Sequence, residues 1–173
     1  MGIICIDFIY ITFGGCSMAY REIRVDGDEI LRKKSRPVEK IDNKILTLIE
    51  DMADTMYKAD GVGLAAPQIG ILKRIVTIDV GNGLFEMINP EILEQSGEQD
   101  GPEGCLSIPG TSGEVKRPMH VKAKYTDING ETVIVEADEL FARAICHELD
   151  HLDGILYKDK AHKMYTGKEL EDM

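Results

Sequence analysis

His147, Glu148 and His151 stand as His-x-x-x-His with an intervening glutamate in His147-Glu148-Leu149-Asp150-His151. On a helix, side chains four positions apart leave the same face one turn apart, so the two imidazoles can grip one metal ion. Glu148 lies beside them as a base rather than a ligand. The chemistry this permits is hydrolysis, with Glu148 accepting a proton from the water that such an ion activates and passing it on. The pattern can arise by chance in an acidic surface helix. Here the preceding run Leu140-Phe141-Ala142-Arg143-Ala144-Ile145 is mostly apolar, which predicts a buried helix, and buried histidines beside a buried glutamate require a reason.

A catalytic ion needs a third protein ligand and an open position. Downstream, Asp153, Asp159, His162 and Glu169 are available, without the glycine turn that some HExxH peptidases place before their third ligand. Upstream, Cys105 in Glu103-Gly104-Cys105-Leu106-Ser107 offers a thiolate that would complete a Cys-His-His set. Taken alone, a free cysteine is more often an ordinary buried thiol. Three readings therefore stand together: a hydrolase using Cys105, an ordinary HExxH zinc metallopeptidase with a downstream ligand, and a purely structural metal module. A structural site would close its coordination with a fourth side chain and would not need Glu148. Cys146 leaves the helix in a different direction from the histidines and is not counted as a ligand, though it is open to oxidation. His120 and His162 are expected at the surface.

The elements that must position these residues are legible in part. Asp138 reads as an N-cap, the helix runs to Leu152, and Gly154 stands where a C-terminal glycine cap belongs. A second, more N-terminal helix follows from Ile41, Ile45, Leu48, Ile49, Met52 and Met56 at helical spacing, stopping by Asp60-Gly61 where the glycine takes the left-handed conformation. Arg74 to Val80 and Leu84 to Asn89 read as a hairpin about Gly81-Asn82-Gly83. His120 to Asp127 and Glu131 to Glu136 read as another, with Asn129-Gly130 in a tight primed turn. Strands cluster ahead of the metal helix instead of alternating with helices. The predicted class is α+β, with antiparallel β-sheets wrapped around a central metal-binding helix.

With 173 residues, 43% hydrophobic and 29% charged, the chain can bury one sizeable core, and residues 18–173 read as a single catalytic domain. Lys and Arg number 20 against 31 Asp and Glu, and the net charge of −11 argues against a nucleic-acid partner. The four cysteines lack the spacing of a disulfide scaffold, which fits a reducing cytoplasm. Residues 1–17 lack a basic start, carry Asp7 and are too short to span a bilayer, so neither signal peptide nor membrane anchor is expected. That extension has two readings. Either Met18 is the natural start and the stretch before it is a start-site artefact, or Ile9-Tyr10-Ile11-Thr12-Phe13 is an extra strand seeking a sheet edge.

Gly61-Val62-Gly63-Leu64-Ala65-Ala66-Pro67-Gln68, Glu103-Gly104-Cys105-Leu106-Ser107 and His147-Glu148-Leu149-Asp150-His151 resemble, in that order, the three signature blocks of peptide deformylases. The likeness runs from about Met18 past Gly154. It implies that Cys105, His147 and His151 are the metal ligands and Glu148 the acid/base, with Gln68 and the Leu106 N–H as oxyanion donors. It implies a substrate strand lying along Val62 and Gly63, with Gly104, Leu140 and Ala144 also contacting substrate. Ile145 is divided between that pocket and plain core. A Glu103–Arg117 ion pair that steadies the cysteine loop is a further implication. The implied reaction is removal of the formyl group from nascent formylmethionyl polypeptides near the ribosome. One divalent ion per chain is implied, Fe²⁺ in the cell, with Zn²⁺, Ni²⁺ or Co²⁺ able to occupy the same ligands in a purified sample. A monomer is expected. The acidic tail from Lys168 to Met173 makes docking through a basic tail unexpected.

Overall fold

The computed structural model describes residues 20–167 and Glu169, so both readings of the first seventeen residues lie outside the described residues. Among the described residues, two α-helices and two antiparallel sheets make an α+β fold. Helix α1 spans Asn43–Lys58, and its Asp42 N-cap carboxylate accepts the N–H groups of Lys44 and Ile45, both at 3.1 Å. Helix α2 spans Glu139–Leu152. Strands β1 (Gly63–Ala65), β2 (Ile75–Ile78), β3 (Phe85–Ser96), β6 (His120–Thr126) and β7 (Thr132–Asp138) form a five-stranded sheet in that order. Strands β4 (Gln99–Cys105), β5 (Ile108–Arg117) and β8 (Lys163–Thr166) form the second sheet.

Helix α2 lies against β1, β2, β6 and β7 of one sheet and β5 of the other, so it is enclosed by both. Phe141, Ala142, Ile145, Leu149 and Leu152 bury one face of it against Val76, Ile78, Met87, Val121 and Ala123. Helix α1 covers β1 and β2 from the other side through Leu48, Ile49, Met52 and Met56.

Several local expectations need correction. The left-handed residue ending α1 is Asp60 (φ 56°), not Gly61. The N–H of Gly61 reaches Met56 O at 3.0 Å and that of Asp60 reaches Tyr57 O at 3.1 Å, which is the Schellman pattern with Asp60 at the turning position. Gly61 is glycine for another reason: a Cβ there would stand 2.7 Å from Leu106 Cδ1, so the chain passes too close to the cysteine turn for a side chain. Asp138 holds the N-cap position of α2, yet its carboxylate makes no cap bond and pairs instead with His120 Nδ1 at 2.5 Å. In the β6–β7 turn only Gly130 has positive φ, at 85°, and the N–H of Asp127 bonds Glu131 O. That is a longer, bulged turn rather than the tight primed one, which needs both central residues left-handed. Strand β3 continues past Asn89-Pro90 because the pairing with β6 slips there. Asn89, at φ 51°, turns its amide to bond both the N–H and the carbonyl of Val38 at 2.8 Å.

Candidate metal centre and substrate cleft

Cys105 ends β4 and begins the two-residue turn Leu106-Ser107 into β5, while both histidines belong to α2. The Cys105 sulfur lies 3.2 Å from His151 Nε2, and one ligand atom from each of Cys105, His147 and His151 falls within 4.8 Å of the others. Around a tetrahedral ion with bonds of about 2.0–2.3 Å, neighbouring donor atoms stand roughly 3.5 Å apart, so this set fits a small divalent cation. His151 is 1% exposed and its Nδ1 has no partner among the described residues.

The electrostatics agree with a site built for positive charge. Burial alone would depress His147, but the Cys105 sulfur and the Glu103 carboxylate lift it to about 10. His151, buried and beside a charged His147, is pushed well below its usual value. The sulfur and the carboxylate thus favour one positive charge at the cluster, and the neighbouring ring remains a neutral donor.

Glu103 is itself held to about 2: burial would raise it, but hydrogen bonds from Arg117 and His147 outweigh that cost. Arg117 Nε and Nη2 reach its two oxygens at 2.7 and 2.9 Å, and His147 Nδ1 donates to Oε2 at 2.9 Å. The expected Glu103–Arg117 pair is therefore present, and it is buried rather than a solvated surface charge. Because Nδ1 is held by Glu103, Nε2 of His147 is the nitrogen that would bind an ion, which takes the place of the proton there. Arg117 also reaches back to Asp150 at 2.6 Å, and the His147 ring stacks on Tyr157 with centroids 6.0 Å apart.

Glu148 is pushed up to about 7 by burial, and its Oε2 makes no hydrogen bond among the described residues. Its other oxygen explains Gly63, since a Cβ there would lie 2.3 Å from Glu148 Oε1. Gln68, in a short 3-10 turn spanning Ala66–Ile69, has a fixed amide orientation. Its Oε1 accepts the Ala65 N–H at 2.8 Å, and its Nε2 donates to Ser107 Oγ at 3.2 Å and faces Cys105 Sγ at 3.6 Å.

A cleft of about 360 Å³ opens over the cluster. Of the residues singled out from sequence, Val62, Gly63, Gln68, Gly104, Cys105, Leu106, Leu140, Ala144, His147 and Glu148 all line it, and His151 lies below. Val62 and Leu140, 49% and 52% exposed, are apolar side chains at the cleft that remain open to solvent. Ile145 is excluded: it is fully buried in the core under the large sheet. His162 pairs with Asp100, Asp153 with Arg74, and Asp159 with Arg32, so these three downstream candidates are engaged away from the cluster. His120 and His162 are exposed, as expected.

Sequence reasoning missed Arg143, Ser107, Asp150 and Tyr157. Arg143 carried a signal, being a lone charge in an apolar run one turn ahead of His147; Ser107 and Tyr157 carried none, because their partners are distant in the chain.

The sequence profile described as polypeptide deformylase matches residues 20–166. Peptide deformylase 1 of Clostridium acetobutylicum is 66% identical over 143 residues, which is 83% of this chain and 95% of that protein. The crystal structure of peptide deformylase from Thermotoga maritima superposes with TM-score 0.81 at 46% identity, covering 83% of this chain and 98% of its own. The Acinetobacter baumannii peptide deformylase with Met-Ala-Ser bound gives TM-score 0.79 at 36% identity, covering 83% and 99%. A profile match over most of the chain, relatives of this identity and solved structures that superpose over most of its length lead to one conclusion: the chain belongs to the peptide deformylase family.

Proposed function

We propose that this chain hydrolyses the N-terminal formyl amide of nascent formylmethionyl polypeptides, releasing formate, at a metal centre made by Cys105, His147 and His151. The convergence of a β4 thiol with two α2 imidazoles, beside a buried Glu148 whose Oε2 has no partner among the described residues, carries the reading. When bound there, a divalent ion supplies Lewis acidity that brings a water toward ionisation near neutral pH. Glu148 is buried and tuned to about 7, so it takes the water's proton and returns it to the departing amine. The Gln68 amide, fixed by Ala65 and Ser107, and the Leu106 N–H receive the charge that develops on the formyl oxygen.

The substrate strand lies along Val62 and Gly63 with Gly104 on the opposite wall, and the methionine side chain occupies the space beside Leu140 and Ala144. The Acinetobacter relative holding Met-Ala-Ser supports an extended, methionine-led peptide as the occupant. Ferrous iron is the proposed ion in the cell, with zinc, nickel or cobalt able to take its place. The same reading makes residues 18–173 one catalytic domain that works in the cytoplasm as a monomer on chains leaving the ribosome. No described helix is long and apolar enough to cross a membrane.

The test is anaerobic purification with metal analysis and formate release from a formyl-Met peptide. One ion per chain and formate release are expected, and Cys105→Ser is expected to lose both. A Cys105→Ser chain that keeps its ion and cleaves internal peptide bonds would overturn the reading in favour of an ordinary HExxH zinc peptidase.

A further inference from the structure

Glu103 is shared by more groups than the pairing with Arg117 requires. A carboxylate offers about four acceptor positions. On Oε2, Arg117 Nη2 and His147 Nδ1 each stand at 2.9 Å. On Oε1, Arg117 Nε stands at 2.7 Å and Arg143 Nη1 at 2.9 Å. Arg143 comes four residues before His147 on α2, so its head arrives over the same face as the imidazole. The same Nη1 reaches the carbonyls of Val115 on β5 at 2.9 Å and Gly101 on β4 at 3.1 Å. The side chain is 9% exposed. The Arg143 fork packs against β4 at Gly101, where a Cβ would stand in ordinary contact with Nη2 at 3.4 Å.

We infer that Arg143 is a positioning residue for the metal centre, a role that rests on the site proposed above. It fills the last acceptor position of Glu103 and ties β4 and β5 to the helix that carries both histidines. Arg117 alone grips both oxygens but leaves Oε1 with a single donor, so the carboxylate can rock about that pair and carry the His147 ring with it. The second guanidinium stops that rotation, and its carbonyl contacts hold the strand that ends at Cys105 at a fixed distance from α2. Lysine keeps the charge but offers no planar fork, so it restores the effect in part.

The readout is the first-order loss of zinc to excess chelator from the zinc-loaded chain, together with kcat and KM on a formyl-Met peptide. Arg143→Met is expected to release zinc about tenfold faster than wild type, the low end of the roughly ten- to a hundredfold cost of losing a direct partner of a ligating histidine, because Arg143 acts on His147 through Glu103. Its kcat is expected to fall more than its KM rises, and Arg143→Lys is expected to lie between. Ile49→Val, on the buried face of α1 and away from the cluster, is expected to lower the melting temperature and to release zinc at the wild-type rate. Should Arg143→Met fail to fold, Arg143→Lys carries the comparison. Wild-type zinc retention in the Arg143 variants, or equally fast loss from the Ile49 control, overturns the inference alone. A wild-type chain that binds no zinc overturns the metal-centre reading beneath it.

Discussion

Single residues set the chemistry through their burial. Glu148 sits near neutrality because it is out of water, and its Oε2 has no partner among the described residues, so it is half-ready both to take and to give a proton. Its base form is the active one; hence log kcat/KM is expected to fall as pH drops through about 7 or somewhat below, since a nearby cation favours the ionised form. Glu148→Ala is expected to remove that limb and cost about a hundredfold or more in turnover while the ion stays bound, as metal analysis of the variant would read. Ser107→Ala tests the neighbouring device. Losing the hydroxyl that holds Gln68 Nε2 is expected to cost about 1 kcal/mol of transition-state stabilisation, several-fold in kcat, with KM little changed. Gly63→Ala is expected to displace Glu148, because the added methyl and the carboxylate cannot share the space; a fall in kcat with metal content intact would show it.

Between elements, the tie that matters runs from β4 through Glu103 to α2. Glu103 stands at 4.5 when unperturbed and at about 2 in the fold, so this group's contribution to stability is complete above about pH 4.5 and drains as pH falls through about 2. That difference corresponds to about 3 kcal/mol. Denaturant unfolding of the wild type is expected to lose stability over that window, and Glu103→Gln is expected to be weaker at neutral pH but flatter below it. The expectation fails if both chains lose stability in parallel through the same window. Both helix ends show how far local reading goes. Gly154, at φ 75°, ends α2 as its type suggests, with a Cβ there 2.5 Å from Arg32 O, whereas Asp60 does the turning for α1 and leaves Gly61 to the close approach of Leu106.

At the scale of the whole molecule, the three proposed ligands come from two elements far apart in the chain, the end of β4 and helix α2. An ion bound to the folded state alone stabilises it by mass action. Chelation is therefore expected to lower the melting temperature, and readdition of zinc, nickel or ferrous iron to restore it. A melting temperature indifferent to chelator would mean that the cleft carries no tightly held ion.

The amino-acid order alone determined what depends on near neighbours: the helical spacing of His147 and His151, the amphipathic stripe of α1, the α+β class and the three blocks that carry the family likeness. What it left open depends on partners far apart in the chain. Strands β4 and β5 went unread because their glycines and prolines depress any local strand signal, and β8 because four residues are too short a run to carry one. The tertiary structure alone decided that Cys105, and not the downstream acids or His162, meets the histidines. It also decided that Arg143, an isolated charge in an apolar run, is neutralised by a carboxylate forty residues away. A charge can be buried only where its counter-charge is delivered, and that delivery is a property of the fold rather than of any window of sequence.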